Sequence, residues 1–258
     1  MRRRLRQISK RVQITPPSLK IITLGEAQVI RNGTPLNLSD WQTRETRDLF
    51  FYLFFHPPQT KEQIATIFWP DITPARLKMR YKTTIYRLRH AVGQEVILYE
   101  GERYSFNRGS DYTCDLDDFN LYLEAARNSS EIRLTVDLLQ KAVDLVHGPY
   151  LANIDADWVM PERVRLQEAY QAVLLRLGEL YLELGQAELS LEASRRALLS
   201  DPLLEQAHRQ RMRAYAALRD QPGLARQYQQ CRKTLQKELG LQPTNETERL
   251  YEQLIRSF

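Results

Sequence analysis

Cysteine is almost absent from this sequence. Only Cys114 and Cys231 occur among 258 residues. They lie far apart and without CxxC or Cys/His spacing, which argues against a disulfide framework or a zinc site and makes a reducing, cytoplasmic setting the expectation. No apolar run reaches the roughly 18 residues that mark a bilayer span, so no membrane partner is expected. The start, MRRRLRQISKR, is basic but no apolar stretch follows it, so it is not read as a secretory signal. GxxxxGK[ST], GxGxxG and GxSxG are all missing, which removes the minimum parts of phosphate-loop, dinucleotide and serine-hydrolase sites. His56, His90, His147 and His208 stand alone, without metal-ligand spacing. The carboxylates of Asp115, Asp117 and Asp118 are close enough to suggest Mg²⁺, but acids favour a helix N-terminus and no phosphate cradle accompanies them. The expectation is a protein without enzymatic activity, metal or cofactor.

What is present is positive charge, unevenly placed. Residues 1–112 carry 19 basic against 10 acidic side chains, net +9, whereas residues 113–258 carry 18 against 22, net −4. The basic half is the candidate for nucleic acid. Six of its charges (Arg2, Arg3, Arg4, Arg6, Lys10 and Arg11) fall in residues 1–18, read as a disordered arm that is either a solubilising tail or tracks DNA.

From Leu19 the extended runs LKIITL, AQVIR and PLNL are separated by Gly25-Glu26 and Asn32-Gly33-Thr34, and Asn-Gly between such runs predicts a small antiparallel sheet. TRETRDLFFYLFFH predicts a helix buried on more than one side, stopped by His56-Pro57-Pro58. Thr60 with Gln63 three residues later is a capping box opening a short helix that ends at Trp69-Pro70. Thr73-Pro74 opens the next helix, with Thr73 able to cap it, and Gly93 closes it. VILYE and RYSF then form a hairpin around Gly101. This order predicts a winged helix, in which the helix after the turn enters the major groove.

That helix has two faces. At about 100° per residue, Leu77, Tyr81, Ile85, Leu88 and Val92 share one quadrant, and Arg76, Met79, Lys82, Thr83, Tyr86, Arg87 and His90 lie opposite. Lys78, Arg80 and Arg89 flank them, where long side chains reach outward while their stems cover apolar surface. By itself this pattern also fits a solvated surface helix. Within a winged domain, Lys78, Lys82, Arg89 and Arg103 are expected to contact phosphate, and Arg76, Tyr86 and Arg87 to meet base edges. Arg108 is a further phosphate candidate, while Glu100 and Glu102 at the hairpin tip argue against deep minor-groove entry.

After Cys114 the pattern is helical throughout. His147-Gly148-Pro149 breaks it, and Leu177, Gly178, Tyr181, Gly185, Ser190, Ala197 and Pro202 then follow the spacing of one tetratricopeptide unit. His208, Met212, Tyr215, Ala225, Tyr228 and Cys231 follow as a looser copy, and a capping helix enters at Thr244 or Asn245. The predicted class is mainly α with a small β component: a winged helix (α+β) over residues 19–112 and an all-α tetratricopeptide-like domain over 113–258.

The run Leu19 to Phe106, with LGEAQVIRNGTPLNL, TKEQIATIFWPD and YRLRHAVG, resembles the winged-helix domain of SARP-type bacterial activators, related to the OmpR/PhoB type. From Asp115, CDLDDF, HGPYL, DWVMPERVRL, DPLLEQAHRQRM and LQKELGLQP are similar to the bacterial transcriptional activator domain of those proteins. The resemblance implies a transcriptional activator on double-stranded DNA, two protomers on direct repeats, and contact with RNA polymerase and its sigma factor. Matched positions give a DNA-facing set of Met79, Thr83, Tyr86, Arg87 and Arg89. Arg103 stands where the family usually has Gly before the wing Tyr. No receiver, ATPase or sensor domain is recognised. The rival reading is a tetratricopeptide module sensing a peptide or small molecule, with DNA binding secondary.

Overall fold

The computed structural model describes residues 18–258. The basic arm over residues 1–18 lies outside the described residues, apart from Ser18. The chain is mainly helical with a small β part and forms two compact units. One comprises the chain up to Thr23 with Ala27–Asp115; the other comprises Leu24–Glu26 with Leu116–Phe258. No helix among the described residues is long and apolar enough to cross a membrane.

The first unit opens with β1 (Leu19–Ile22) and β2 (Gln28–Arg31), antiparallel, and β3 (Thr34–Pro35) closes a hairpin on β2. Its loop is Asn32 and Gly33, with φ of 49° and 82°. Two successive positive φ values match the right-handed strand twist, and Asn-Gly reaches them with little strain. The fourth strand, β7 (Tyr112–Cys114), pairs parallel to β1, giving the order β3-β2-β1-β7. The expected sheet was wholly antiparallel; a three-residue strand is too short to show alternation. Asp115 follows β7, and its carboxylate accepts the Thr23 amide at 3.0 and 2.8 Å and the Thr23 hydroxyl at 2.7 Å. That occupation gives the first acid of the 115–118 cluster a structural role.

Helical structure begins earlier than expected, with α1 (Leu38–Trp41) capped by a box between Asn37 and Asp40. The Thr43 hydroxyl caps α2 (Arg44–Phe55), whose consecutive residues Leu49 to Phe54 are all buried. A helix apolar all round must be enclosed, and it is: Phe50 packs on Trp41 and on Phe106, and Phe54 packs edge-on to Phe106 at 4.7 Å. The capping box of α3 (Lys61–Phe68) has both bonds, Gln63 N–H to the Thr60 hydroxyl at 3.2 Å and Thr60 N–H to the Gln63 side chain at 2.8 Å. After α4 (Pro74–Val92) come β5 (Ile97–Glu100) and β6 (Arg103–Phe106), turned through Gly101 and Glu102 at φ 53° and 61°. An unexpected two-residue strand, β4 (Gln59–Thr60), pairs with β6 and makes a three-stranded sheet, β4-β6-β5.

The second unit is α5 (Asp115–Arg127), whose first residue belongs to the other unit, then α6 (Ile132–Asp144), α7 (Met160–Glu183), α8 (Ala187–Ser200), α9 (Glu205–Ala217), α10 (Gln221–Leu239) and α11 (Asn245–Ile255). Each helix from α6 to α10 packs on the next, and α11 returns onto α9. Small residues set the close approaches. A Cβ on Gly178 would lie 2.4 Å from the Gln210 side chain, which is buried and donates to the Leu175 carbonyl at 2.7 Å. Gly178→Ala must displace that amide, and we expect a loss of about 1 to 3 kcal/mol by urea denaturation.

His208 is buried between the Pro202 carbonyl and the Gln227 amide. Burial lowers its pKa from the usual 6.5, so the folded chain holds it neutral while the unfolded chain protonates it below that value. Its contribution is therefore complete above pH 6.5 and is lost as pH falls from there toward the lowered folded value. Denaturation midpoints of the wild type should drop between pH 7.5 and 5.5 more than those of His208→Gln.

Candidate nucleic-acid interface

The basic helix of the sequence is α4. Thr73 occupies its N-cap, but the hydroxyl makes no cap bond, so Pro74 and the backbone start the helix without it; Gly93 ends it at φ 119°. Tyr81, Thr84, Ile85, Leu88, Ala91 and Val92 are buried, and Leu77 is half-buried. On the other side Arg76, Lys78, Met79, Lys82, Thr83, Tyr86 and His90 are exposed and Arg87 is half-buried. Met79 is 70% exposed and Tyr86 63%, large values for side chains of their hydrophobicity. Tyr86 and His90 stack at 6.2 Å with 15° between their planes.

Three arginine contacts hold this helix in place. Arg80 forms an ion pair with Glu45 of α2 at 2.6 Å. Arg89 donates to the Ile97 carbonyl of β5 at 2.8 Å, and Arg31 of β2 donates to the Ala91 carbonyl at 3.0 Å. The last two place guanidinium groups at the C-terminal end, where unpaired carbonyls and the helix dipole favour positive charge. Aromatic contacts complete the mounting: Trp69 packs edge-on to Tyr81, Tyr81 packs against Tyr104 of β6, and Tyr104 lies 4.4 Å from Tyr99 of β5. Burial raises the Tyr81 phenol well above its ordinary value, so it stays protonated and adds no charge.

The structure thus brings together Arg76, Lys78, Met79, Lys82, Thr83, Tyr86 and Arg87 on one helix surface and sets two of the expected residues apart. Arg89 leans back to the hairpin. Arg103, on β6, donates to the Pro58 carbonyl at 3.1 Å and to Gln63 at 3.4 Å, tying the hairpin to the start of α3. Arg108 stacks over the Phe54 ring at 4.4 Å and donates to the Phe54 carbonyl and to the Tyr112 hydroxyl. Its expected phosphate role competes with these contacts at the end of α2. Arg31 and Glu45 had no local signal in the sequence, because their partners lie about 60 and 35 residues away.

The second unit has an open cavity of about 600 Å³, lined by Tyr150, Arg163, Leu166, Tyr170, Arg195 and Arg196 among others. Its cations already have partners. Arg163 donates to three backbone carbonyls, Arg195 chelates Glu192 at 2.7 Å through two nitrogens, and Arg196 donates to the Tyr170 hydroxyl at 3.1 Å. Among the described residues no cluster of His, Cys, Asp and Glu is arranged to hold a metal ion.

Residues 114–255 match the sequence profile described as Bacterial transcriptional activator domain. The chain is 24% identical over 246 residues to Regulatory protein AfsR of Streptomyces coelicolor, covering 93% of this chain and 24% of that one, so it spans about a quarter of that relative's length. It is 23% identical over 254 residues to Transcriptional regulatory protein MoaR1 of Mycobacterium tuberculosis, covering 94% and 81%. The structure of Mycobacterium tuberculosis EmbR in complex with a low affinity phosphopeptide shares the fold, with a TM-score of 0.76 at 20% identity over 94% of this chain and 66% of that one. The matched profile covers more than half of the residues, and the chain belongs to the bacterial transcriptional activator domain family.

Proposed function

We propose that this chain is a SARP-type transcriptional activator without enzymatic activity. In this reading the first unit is an OmpR/PhoB-type winged helix that binds duplex DNA through α4, and the second is a tetratricopeptide-like helical domain that supports dimerisation and contact with RNA polymerase. The working compartment is the cytoplasm.

The surface of α4 carries the reading. Arg76, Lys78, Lys82 and Arg87 have no acidic partner among the described residues, while the helix beneath them is fixed to α2, β2 and β5 by Arg80, Arg31 and Arg89. A row of unpaired cations on a rigid mount suits a polyanion. Lys78 and Lys82 set affinity through phosphate; Arg76, Tyr86 and Arg87 meet base edges. Arg89 and Arg103 contribute chiefly by holding the helix and hairpin in position, with their remaining N–H groups available to phosphate. The acidic tip at Glu100 and Glu102 keeps the hairpin on the backbone rather than deep in the minor groove.

The test is transcription in a purified system. On a template carrying a DNA site selected by this chain upstream of a weak promoter, the full chain should raise transcript yield with bacterial RNA polymerase, and Arg87→Ala should not. A chain that occupies the site and leaves transcription unchanged contradicts activation; one that binds no duplex contradicts the whole reading.

A further inference from the structure

Met79 and Thr83 of the α4 surface are not cations, and the charges around them do not explain their presence. Met79 is 70% exposed in the free chain, although it stands among Arg76, Lys78, Lys82 and Thr83 on a surface otherwise suited to water. An apolar side chain gains free energy when it leaves water, so a ligand that covers Met79 with an apolar group would be bound more tightly for it. Thr83, one turn on, donates its hydroxyl proton to the Met79 carbonyl at 3.0 Å. That bond fixes the Thr83 rotamer and uses its only proton, leaving the γ-methyl and the oxygen lone pairs as the groups that can meet a ligand.

We infer that Met79 and Thr83 form an apolar reading pair for the 5-methyl group of thymine. The inference rests on the proposed DNA-binding function and specifies what the helix reads. Among the four bases only thymine presents a methyl group at its major-groove edge, and apolar side chains and the Thr methyl are suited to it. Four residues along a helix advance about 6 Å, so the pair addresses thymines within roughly two base steps of each other. The cations around them supply what a methyl contact lacks. Lys78 and Lys82 bring the surface onto the phosphates, and Arg87 seeks the paired acceptors of guanine. The preferred half-site therefore combines guanine with thymine, and part of its selectivity resides in methyl groups rather than in hydrogen bonds.

The test compares thymine with uracil, which differ by that methyl alone. The full chain is first used to select duplexes from a random pool, and each thymine of the selected half-site is then replaced singly by deoxyuridine. At one or two neighbouring positions the replacement should weaken binding roughly three- to five-fold, about the value of one buried methyl group. Thr83→Ser keeps the hydroxyl bond and removes only the methyl. It should abolish the preference for thymine over uracil at one position, and Met79→Ala should abolish it at the other. A selected half-site without thymine overturns the inference, as does a uracil series that is flat at every position. So does a thymine preference of wild-type size in both variants. These outcomes leave DNA binding standing. A pool from which nothing is selected removes the DNA-binding reading and this inference together.

Discussion

Replacing Arg87 by alanine is expected to weaken binding to a selected DNA site by about 5- to 150-fold while binding to random duplex changes little. The range corresponds to about 1 to 3 kcal/mol, the discrimination supplied by a guanidinium fork matched to the O6 and N7 acceptors of guanine. Arg87 is suited to this task because it is half-buried while no acid pairs its guanidinium among the described residues. A side chain already restricted by packing loses less entropy when it docks. Lys82 should behave differently. Its ammonium is an exposed point charge, so Lys82→Ala should weaken all sequences alike and make the slope of log affinity against log salt shallower by about one. Titrating both variants against selected and random duplexes at several salt concentrations separates the two roles.

Arg163→Ala is expected to cost the second unit about 2 to 4 kcal/mol. The guanidinium donates to the carbonyls of Tyr150 at 2.9 Å, Leu151 at 2.9 Å and Ile154 at 3.1 Å. Tyr150, Leu151 and Ile154 are all buried, and Leu151 is held at φ 47°, a backbone conformation that a leucine keeps only when its surroundings impose it. Without the guanidinium these carbonyls lose a charged donor, although the Leu151 carbonyl keeps the Ile154 amide at 2.9 Å, and a hydrogen bond to a charged group is worth roughly 1.5 to 3 kcal/mol. Arg163→Lys should recover less than half of the loss, because an ammonium cannot span three carbonyls as a planar fork does. Urea denaturation with an unchanged m-value is the measurement; a midpoint unaffected by Arg163→Ala would remove the clamp from the account.

What could be read in the sequence was what depends on near neighbours. The capping box at Thr60 and Gln63 is a four-residue pattern, Asn32-Gly33 is a two-residue one, and the buried side of α4 follows from a period that repeats over five turns. Each appears in the structure with its hydrogen bonds, dihedral angles or burial. The misses are long-range. The strands β4 and β7 have two and three residues, and only their partners β6 and β1 define them. The helical wheel left Arg89 and Arg80 on the flanks; it could not show that one is drawn to the Ile97 carbonyl and the other to Glu45. Arg103 and Arg108 looked like free cations for the same reason. Composition counted their charge, and only the folded chain reveals the carbonyls and rings that engage it.

The division of labour on α4 is the central claim: one surface reads DNA, and a different set of arginines holds that surface in place. Selection from a random duplex pool by the full chain, run in parallel with Arg87→Ala, tests it most directly. The account predicts that the wild type enriches a guanine-containing half-site repeated head to tail at about 10 to 10.5 base pairs or a multiple of it, and that Arg87→Ala loses preference at the guanine. No enrichment by the wild type, or enrichment of the same motif to the same degree by Arg87→Ala, would contradict it.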